Sequence, residues 1–281
     1  MSQYPPRVAY QGEPGAYSEI AVGALFPKGD AIPFRSLRQV FAAVESGAVD
    51  HGVVPLENSL AGSINDTYDL LSTGKAFMIG EVVVAVNHAL LALPGTRMED
   101  VKRVTSHPQA LAQCQEFLAT LDAEAVAVYD TAGSAKRIAE EERQGEAAIA
   151  SEDAARIYGL EVLASRIQTS PHNQTRFAAV GREMRSLGVA DKTSLLLELR
   201  HEPGSLYRCL RPFADRGLNL SKLESRPIGD RPWEYWFYLD VQAGGDDPAL
   251  TEALAELERD AGRVQVVGSY ARWPEPGGPD A

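Results

Sequence analysis

Apolar and polar positions alternate in a repeating unit from Arg7 to about Arg182: a short apolar strand, a small polar or glycine-rich turn, then a helix with one apolar stripe. This is the sequence pattern of an α/β fold. Val8-Ala9-Tyr10 leads into Gly12-Glu13-Pro14-Gly15 and then a helix whose stripe is Tyr17, Ile20, Ala21, Ala24 and Leu25. The next helix carries a capping-box pair, Ser36 and Gln39, a stripe of Leu37, Val40, Phe41 and Val44, and Gly47 as its stop. The unit recurs at Val104-Thr105 before Ser106, at Ala125 to Tyr129 before Asp130-Thr131, and at Ala147 to Ala150 before Ser151. In open α/β sheets ligands bind at the carboxyl ends of strands, where helix N-termini favour anions, so several such turns facing one cleft suit a dicarboxylate.

The run Val82 to Val86 followed by Ala89-Leu90-Leu91 is too apolar for a surface loop, and is expected to be a strand crossing between two lobes. The chain is expected to return through the irregular segment Ser170-Pro171-His172-Asn173 and a strand from Thr175 to Val180, which gives a two-lobed cleft. After a linker from Met184 to Asp191 the grammar changes: strand Thr193 to Leu199, helix Ser205 to Arg216 closed by Gly217, strands Ser221 to Ile228 and Trp233 to Val241 joined around Gly229-Asp230, helix Pro248 to Ala261, strand Val264 to Tyr270. The order βαββαβ is that of a ferredoxin-like fold. The expected boundaries are 1–185 for the first domain (lobe 1 about 1–84 and 168–185, lobe 2 about 85–167), 191–271 for the second, and a disordered Pro- and Gly-rich tail over 272–281.

Length and composition suit this plan, since 281 residues accommodate two domains. No apolar run approaches the ~20 residues that span a bilayer, and the N-terminus lacks a secretory pattern, so a cytoplasmic location and no membrane partner are expected. The net charge of -12 is spread over helix faces, which argues against nucleic acid and requires any anion site to rely on local donors. Cys114 and Cys209 fall at core-like helix positions and are expected to be buried free thiols. No Cys or His cluster has metal-ligand spacing.

Each candidate site has a structural alternative. Glu57-Asn58-Ser59 puts a carboxylate, an amide and a hydroxyl at the end of a strand, or caps the helix that follows. Ser106 with Gln109 is a complete capping box, with Pro108 in the first helical turn. Thr131-Ala132-Gly133-Ser134 opens a helix that holds a carboxylate or is simply capped by Thr131 or Asp130. Asn173-Gln174-Thr175-Arg176-Phe177 joins a hydroxyl and a fixed cation, or pairs Arg176 with a structural carboxylate and sinks Phe177 into the core. The glycines at 12 and 15 match neither phosphate-loop nor dinucleotide spacing, and no serine stands in a nucleophile elbow, which argues against a nucleotide-binding protein and a Ser-His-Asp hydrolase.

Six segments, in order, resemble the prephenate dehydratases with an attached ACT domain: Gly12 to Ser18, Pro55-Leu56-Glu57-Asn58-Ser59, Ser106-His107-Pro108-Gln109 with Gln113-Cys114, Asp130 to Ala135, Asn173 to Phe177, and Asn219 to Pro227. The resemblance covers Val8 to about Tyr270. It implies a bilobed catalytic domain like the type II periplasmic binding proteins, followed by a ferredoxin-like ACT domain. The implied reaction is the decarboxylative dehydration of prephenate to phenylpyruvate in phenylalanine biosynthesis, with no metal or organic cofactor. Arogenate dehydration is the enzyme alternative and a non-catalytic amino-acid sensor the alternative from another class.

By the same resemblance Thr175 supplies the hydrogen bond or proton to the departing hydroxyl, Glu57 is the competing acid, Arg176 holds a carboxylate or stabilises the site, and Asn58, Ser106 and Gln113 contact or orient substrate. Ser59, Thr131, Gly133, Ser134, Asn173 and Phe177 complete the substrate site. Phenylalanine is the implied effector, bound by Gly204, Ser205, Leu206, Asn219 and Leu220 with Glu224, Ser225, Arg226 and Pro227 across a homodimer or homotetramer interface of ACT domains. Tyr207 departs from the Ala-Leu-Val that many members have at 205–207. With no helical extension long enough for a fused chorismate mutase, the chain is expected to be monofunctional.

Overall fold

The computed structural model describes residues 4–228 and 231–273. The turn expected around Gly229-Asp230 lies outside them, as does the tail beyond Trp273. In chain order the elements are β1 (Arg7–Gln11), α1 (Tyr17–Leu25), β2 (Asp30–Phe34), α2 (Leu37–Glu45), β3 (His51–Asn58), β4 (Gly62–Ser63), α3 (Asn65–Thr73), β5 (Phe77–Ala85) and β6 (Ala89–Ala92). There follow β7 (Arg103–Ser106), α4 (Pro108–Gln113), α5 (Gln115–Leu118), β8 (Glu124–Ala127), α6 (Thr131–Glu140), β9 (Glu146–Ala150), α7 (Glu152–Tyr158), β10 (Glu161–Ala164) and β11 (Gln174–Gly181). The C-terminal elements are β12 (Lys192–Glu198), α8 (Ser205–Asp215), β13 (Leu220–Ile228), β14 (Arg231–Val241), α9 (Pro248–Asp260) and β15 (Arg263–Tyr270).

Two compact units result: Met1–Tyr68 with Val82–Phe177, and Asp69–Glu81 with Ala178–Ala281. The expected boundaries at 185 and 191 are therefore not where the compact units part, because residues 69–81 and 178–185 group with the C-terminal residues.

The first unit holds two lobes. In one, β1 pairs in parallel with β2 and β3, and β11 lies on the far side of β3. The Ser36 hydroxyl accepts from Gln39 N–H at 3.3 Å and the α2 stripe is buried as its spacing requires. The α1 stripe is corrected: Ala21 and Val22 are buried whereas Ala24 is exposed, so the helix turns its inner face through the next residue. The other lobe is a five-stranded sheet in the order β10-β6-β9-β7-β8. The apolar run at 82–91 is two strands, β5 and β6, with the Val86-Asn87-His88 link between them. Where the first βα turn meets α7, Ser151 Oγ donates to Gly15 O at 2.6 Å. Gly15 has φ +87° and a Cβ there would lie 2.7 Å from Ala154 Cα, so the turn tolerates no side chain.

The second unit has the expected βαββαβ order, with an antiparallel sheet β13-β14-β12-β15. Leu195, Leu197, Leu239, Phe213, Leu250 and Leu257 form its core. Beside that core Lys192 Nζ is buried 3.0 Å from Glu81 and 3.3 Å from Asp240. Cys114 and Cys209 are both buried, and burial pushes the Cys114 thiol up to about 12.

Candidate active site

Strand pleating decides how the two central motifs are used, because consecutive side chains point to opposite faces. Asn58 and Thr175 meet on one face: Asn58 Nδ2 donates to Thr175 Oγ1 at 2.9 Å. Their neighbours Glu57 and Arg176 meet elsewhere, with Arg176 Nε 3.1 Å from Glu57 Oε1. The structural alternative for Arg176 is thus the observed one, and Glu57, expected as the competing acid, is the ion-pair partner of that guanidinium. Neither residue lines the cavity beside Thr175.

Asn58 is 6% exposed and its amide is fully engaged. Its Oδ1 accepts from Leu60 N–H and Ala61 N–H, both at 3.0 Å, and its Nδ2 also reaches Asn173 Oδ1 at 2.8 Å and Gln174 O at 3.0 Å. Because Thr175 Oγ1 accepts from Asn58, the threonine proton is left for the cavity. Glu57-Asn58-Ser59 does not cap a helix, since β4 follows and α3 begins at Asn65. Ser59, expected to bind substrate, uses its hydroxyl to donate to His172 O at 2.9 Å and accept from Gln174 N–H at 3.0 Å, which staples the crossing segment. Phe177 is 2% exposed and belongs to the core.

From the other lobe α4 ends at Gln113, whose Oε1 lies 2.9 Å from both His88 Nε2 and Asn173 Nδ2. His88 Nδ1 is 3.2 Å from the Tyr17 hydroxyl, which itself donates to Asn87 O at 2.6 Å. Burial lowers the His88 pKa, opposed by the Gln113 hydrogen bond, and burial raises that of Tyr17.

Three expectations in this lobe are corrected. Ser106 is fully buried and donates to Ile149 O at 2.7 Å, tying β7 to β9, while the cap of α4 is His107, whose Nδ1 accepts from Gln109 N–H at 3.3 Å. Ser134 is buried and donates to Asp130 O at 2.7 Å. Gly133 N–H is taken by the Asp130 carboxylate at 2.7 Å, so the start of α6 is capped from within the chain. Burial chiefly, with Glu13 nearby, raises the Asp130 pKa. Thr131 alone of that segment faces the cavity.

The cavity that joins these groups, about 120 Å³, is lined by Asn58, Gln113, Thr131 and Thr175 together with Tyr17, Val86, His88, His107, Gln109 and Ala110. A larger one of about 730 Å³, lined by Leu60, Ala61, Ala112 and Gln115 among others, shares Gln109 and Gln113 with it. Tyr17, His88, His107 and Gln109 were not expected at the site. Tyr17 and His107 lie inside recognised segments, whereas His88 had no local signal beyond its place after an apolar run. No group of three or more His, Cys, Asp or Glu residues able to hold a metal occurs among the described residues. No helix among them is long and apolar enough to cross a membrane.

In the second unit Gly204 sits at φ +81° and opens α8 as expected. Ser205 is buried with its hydroxyl donating to Glu202 O at 2.8 Å, Leu206 is half-buried, and Tyr207 is 69% exposed. Asn219 Nδ2 donates to Gln242 Oε1 at 2.9 Å, and Leu220 pairs with Val241. Along β13 alternation separates Glu224 and Arg226, half-buried, from exposed Ser225 and Pro227. Glu224 pairs with Lys222 at 2.8 Å, and Arg226 makes a two-point ion pair with Asp69 of α3, at 2.6 and 2.5 Å.

Comparison with known proteins matches residues 8–185 to the prephenate dehydratase family and residues 193–259 to the ACT domain. A chloroplastic arogenate dehydratase/prephenate dehydratase 2 from Arabidopsis thaliana is 46% identical over 275 residues, 94% of this chain and 72% of the relative. The structure of a prephenate dehydratase from Arthrobacter aurescens in complex with L-Phe superposes with TM-score 0.87 at 33% identity, covering 97% of this chain and 93% of that one. A structure described as GqqA, a novel type of quorum quenching acylase, gives TM-score 0.87 at 34% identity over 95% and 98%. The cytoplasmic location expected above is corrected by these names: relatives at this level of identity are called chloroplastic, and the absence of a secretory pattern does not speak against that.

Proposed function

The chain belongs to the prephenate dehydratase family and carries an ACT domain, and on that premise we propose that it catalyses the decarboxylative dehydration of prephenate to phenylpyruvate. Residues 1–185 are the proposed catalytic domain and 191–271 the regulatory one. In the reaction the bond to the ring carboxylate breaks, carbon dioxide leaves, and the electron pair moves through the ring to expel hydroxide from the opposite carbon. Aromatisation drives the step, so the protein's task is to stabilise the departing hydroxide.

The observation that carries this reading is the 2.9 Å hydrogen bond from Asn58 Nδ2 to Thr175 Oγ1. It turns a neutral hydroxyl into a fixed donor aimed at the cavity. Gln113 Nε2–H, 3.5 Å from Asn58 Oδ1, is the second donor facing the same space. Such preorganised donors act where charge develops and need no reorganisation during the reaction. Arg176, paired with Glu57, is proposed to brace β11 against β3 and so to position Thr175.

The ten residues that line the small cavity include no Lys or Arg. Substrate carboxylates are thus proposed to be held by the neutral donors Gln109 and Thr131, with the adjoining cavity taking the rest of the molecule. Arogenate, which differs by an amino group on the side chain, is the second reading, since the name of the 46% identical relative gives both substrates. Acyl transfer is disfavoured, because the Thr175 oxygen accepts from an amide that cannot take up its proton. A non-catalytic sensor would leave Thr175 without a task. Phenylalanine is the proposed inhibitor, supported by the L-Phe complex of the Arthrobacter relative.

The test is product formation by the purified chain from prephenate and from arogenate at equal concentrations, with and without phenylalanine. Phenylpyruvate formation at the higher kcat/KM is the expected result. Preference for arogenate would replace the substrate, and turnover of neither would overturn the enzyme reading.

A further inference from the structure

The polarity of the amide network at the cavity can be followed outward from two donors that cannot be reversed. The backbone N–H groups of Leu60 and Ala61 both point at one atom of the Asn58 amide, each at 3.0 Å, so that atom is the oxygen. The other Asn58 atom is then the nitrogen, and the Asn173 atom 2.8 Å from it is an oxygen. Asn173 must in turn offer its nitrogen to Gln113, which makes the Gln113 atom 2.9 Å away an oxygen. That same oxygen lies 2.9 Å from His88 Nε2, which therefore carries the proton. Amide and imidazole orientations are normally assigned by choice; here the backbone dictates each of them in sequence.

From this relay we infer that His88 is a positioning residue, whose neutral Nε2–H tautomer locks the Gln113 amide so that its nitrogen, and not its oxygen, faces the cavity beside Thr175. The inference rests on the proposed dehydratase reading and assigns His88 a place in it. Gln113 Oε1 has two lone pairs and two donors, His88 and Asn173, so both are filled and the amide is held. Removing the imidazole leaves one donor, and the terminal amide is then free to rotate away. In this tautomer Nδ1 bears the lone pair and faces the Tyr17 hydroxyl at 3.2 Å, so the single phenolic proton has two acceptors, Nδ1 and Asn87 O at 2.6 Å. His88 is 2% exposed, so its ring is held by these protein partners.

Two measurements on the full chain decide the matter. Imidazole nitrogen NMR, with the His88 signals assigned by their loss in His88→Gln, is expected to show a protonated Nε2 and an unprotonated Nδ1 near pH 7. The opposite tautomer overturns the relay. In turnover assays His88→Leu is expected to lower kcat by up to about 100-fold through misplacement of the Gln113 donor, with KM little changed. His88→Gln, whose amide N–H reaches the same acceptor, should restore most of kcat. A His88→Leu enzyme with wild-type kcat, a loss confined to KM, or equal losses in both variants would overturn the positioning role. Should His88→Leu fail to fold, the tautomer and the rescue by glutamine still decide. Absence of wild-type turnover would sink the functional reading and the positioning role with it, while the NMR result reports separately on the lock.

Discussion

At the residue scale, two backbone N–H groups decide which way the Asn58 amide faces, and the amide decides what Thr175 can do. Asn58→Asp keeps the shape and removes the donor, placing an oxygen against both Thr175 Oγ1 and Asn173 Oδ1. The expected outcome is a fall in kcat of about 100-fold or more, comparable to loss of one oxyanion-type donor, measured beside a melting curve that reports any structural cost. His88 adds a pH signature. Its folded pKa is lowered by burial, so between that value and the unfolded value of about 6.5 the unfolded chain binds more protons. Stability is therefore fully present above about pH 6.5 and declines as pH falls toward the folded pKa. Melting temperatures from pH 8 to 5 should show this decline, and His88→Gln should reduce it. This residue was not legible in the sequence, because its partners come from three distant segments: Tyr17, Gln113, and Gln168, whose Oε1 accepts from His88 N–H at 2.9 Å.

At the scale of elements, local rules were read well and long-range ones were not. The cap, stripe and stop of α2 lie within twelve residues and specify the helix on their own. Ser106 with Gln109 satisfied the same rule, yet β7 pairs with β9 and its last hydroxyl finds Ile149 O instead, which moves the cap to His107. The division of Glu57-Asn58 and Thr175-Arg176 into two pairs on opposite faces needs the β3–β11 neighbourhood, which joins residues more than a hundred positions apart and has no local signature. Buried charge in the second unit gives the clearest prediction at this scale. Lys192→Met removes the cation shared by Glu81 and Asp240 and is expected to destabilise that unit by about 3–5 kcal/mol, read by denaturant titration. A cost below 1 kcal/mol would show that the carboxylates have other compensation.

At the scale of the whole molecule, the net charge of -12 opposes approach of a dianionic substrate, and the small cavity has no lysine or arginine in its lining to reverse that locally. Raising ionic strength from about 0.01 to about 0.15 M shortens the screening length from about 30 Å to about 8 Å, so kcat/KM is expected to rise with salt. A fall would point to attraction by basic groups outside that lining. The α/β and βαββαβ organisation was legible because each element announces itself by period and turn, whereas the compact units depend on which strands pair, and residues 69–81 carried no sign that they would group with the C-terminal part. The central claim is that the Thr175 hydroxyl, oriented by Asn58, assists the departure of hydroxide. Its most direct test is the kcat of Thr175→Val, which keeps the shape of the side chain and removes the hydroxyl, both the donor to the cavity and the acceptor of the Asn58 hydrogen bond. The account predicts a loss of about 10²- to 10⁴-fold with an unchanged fold; turnover close to that of the unaltered chain would contradict it.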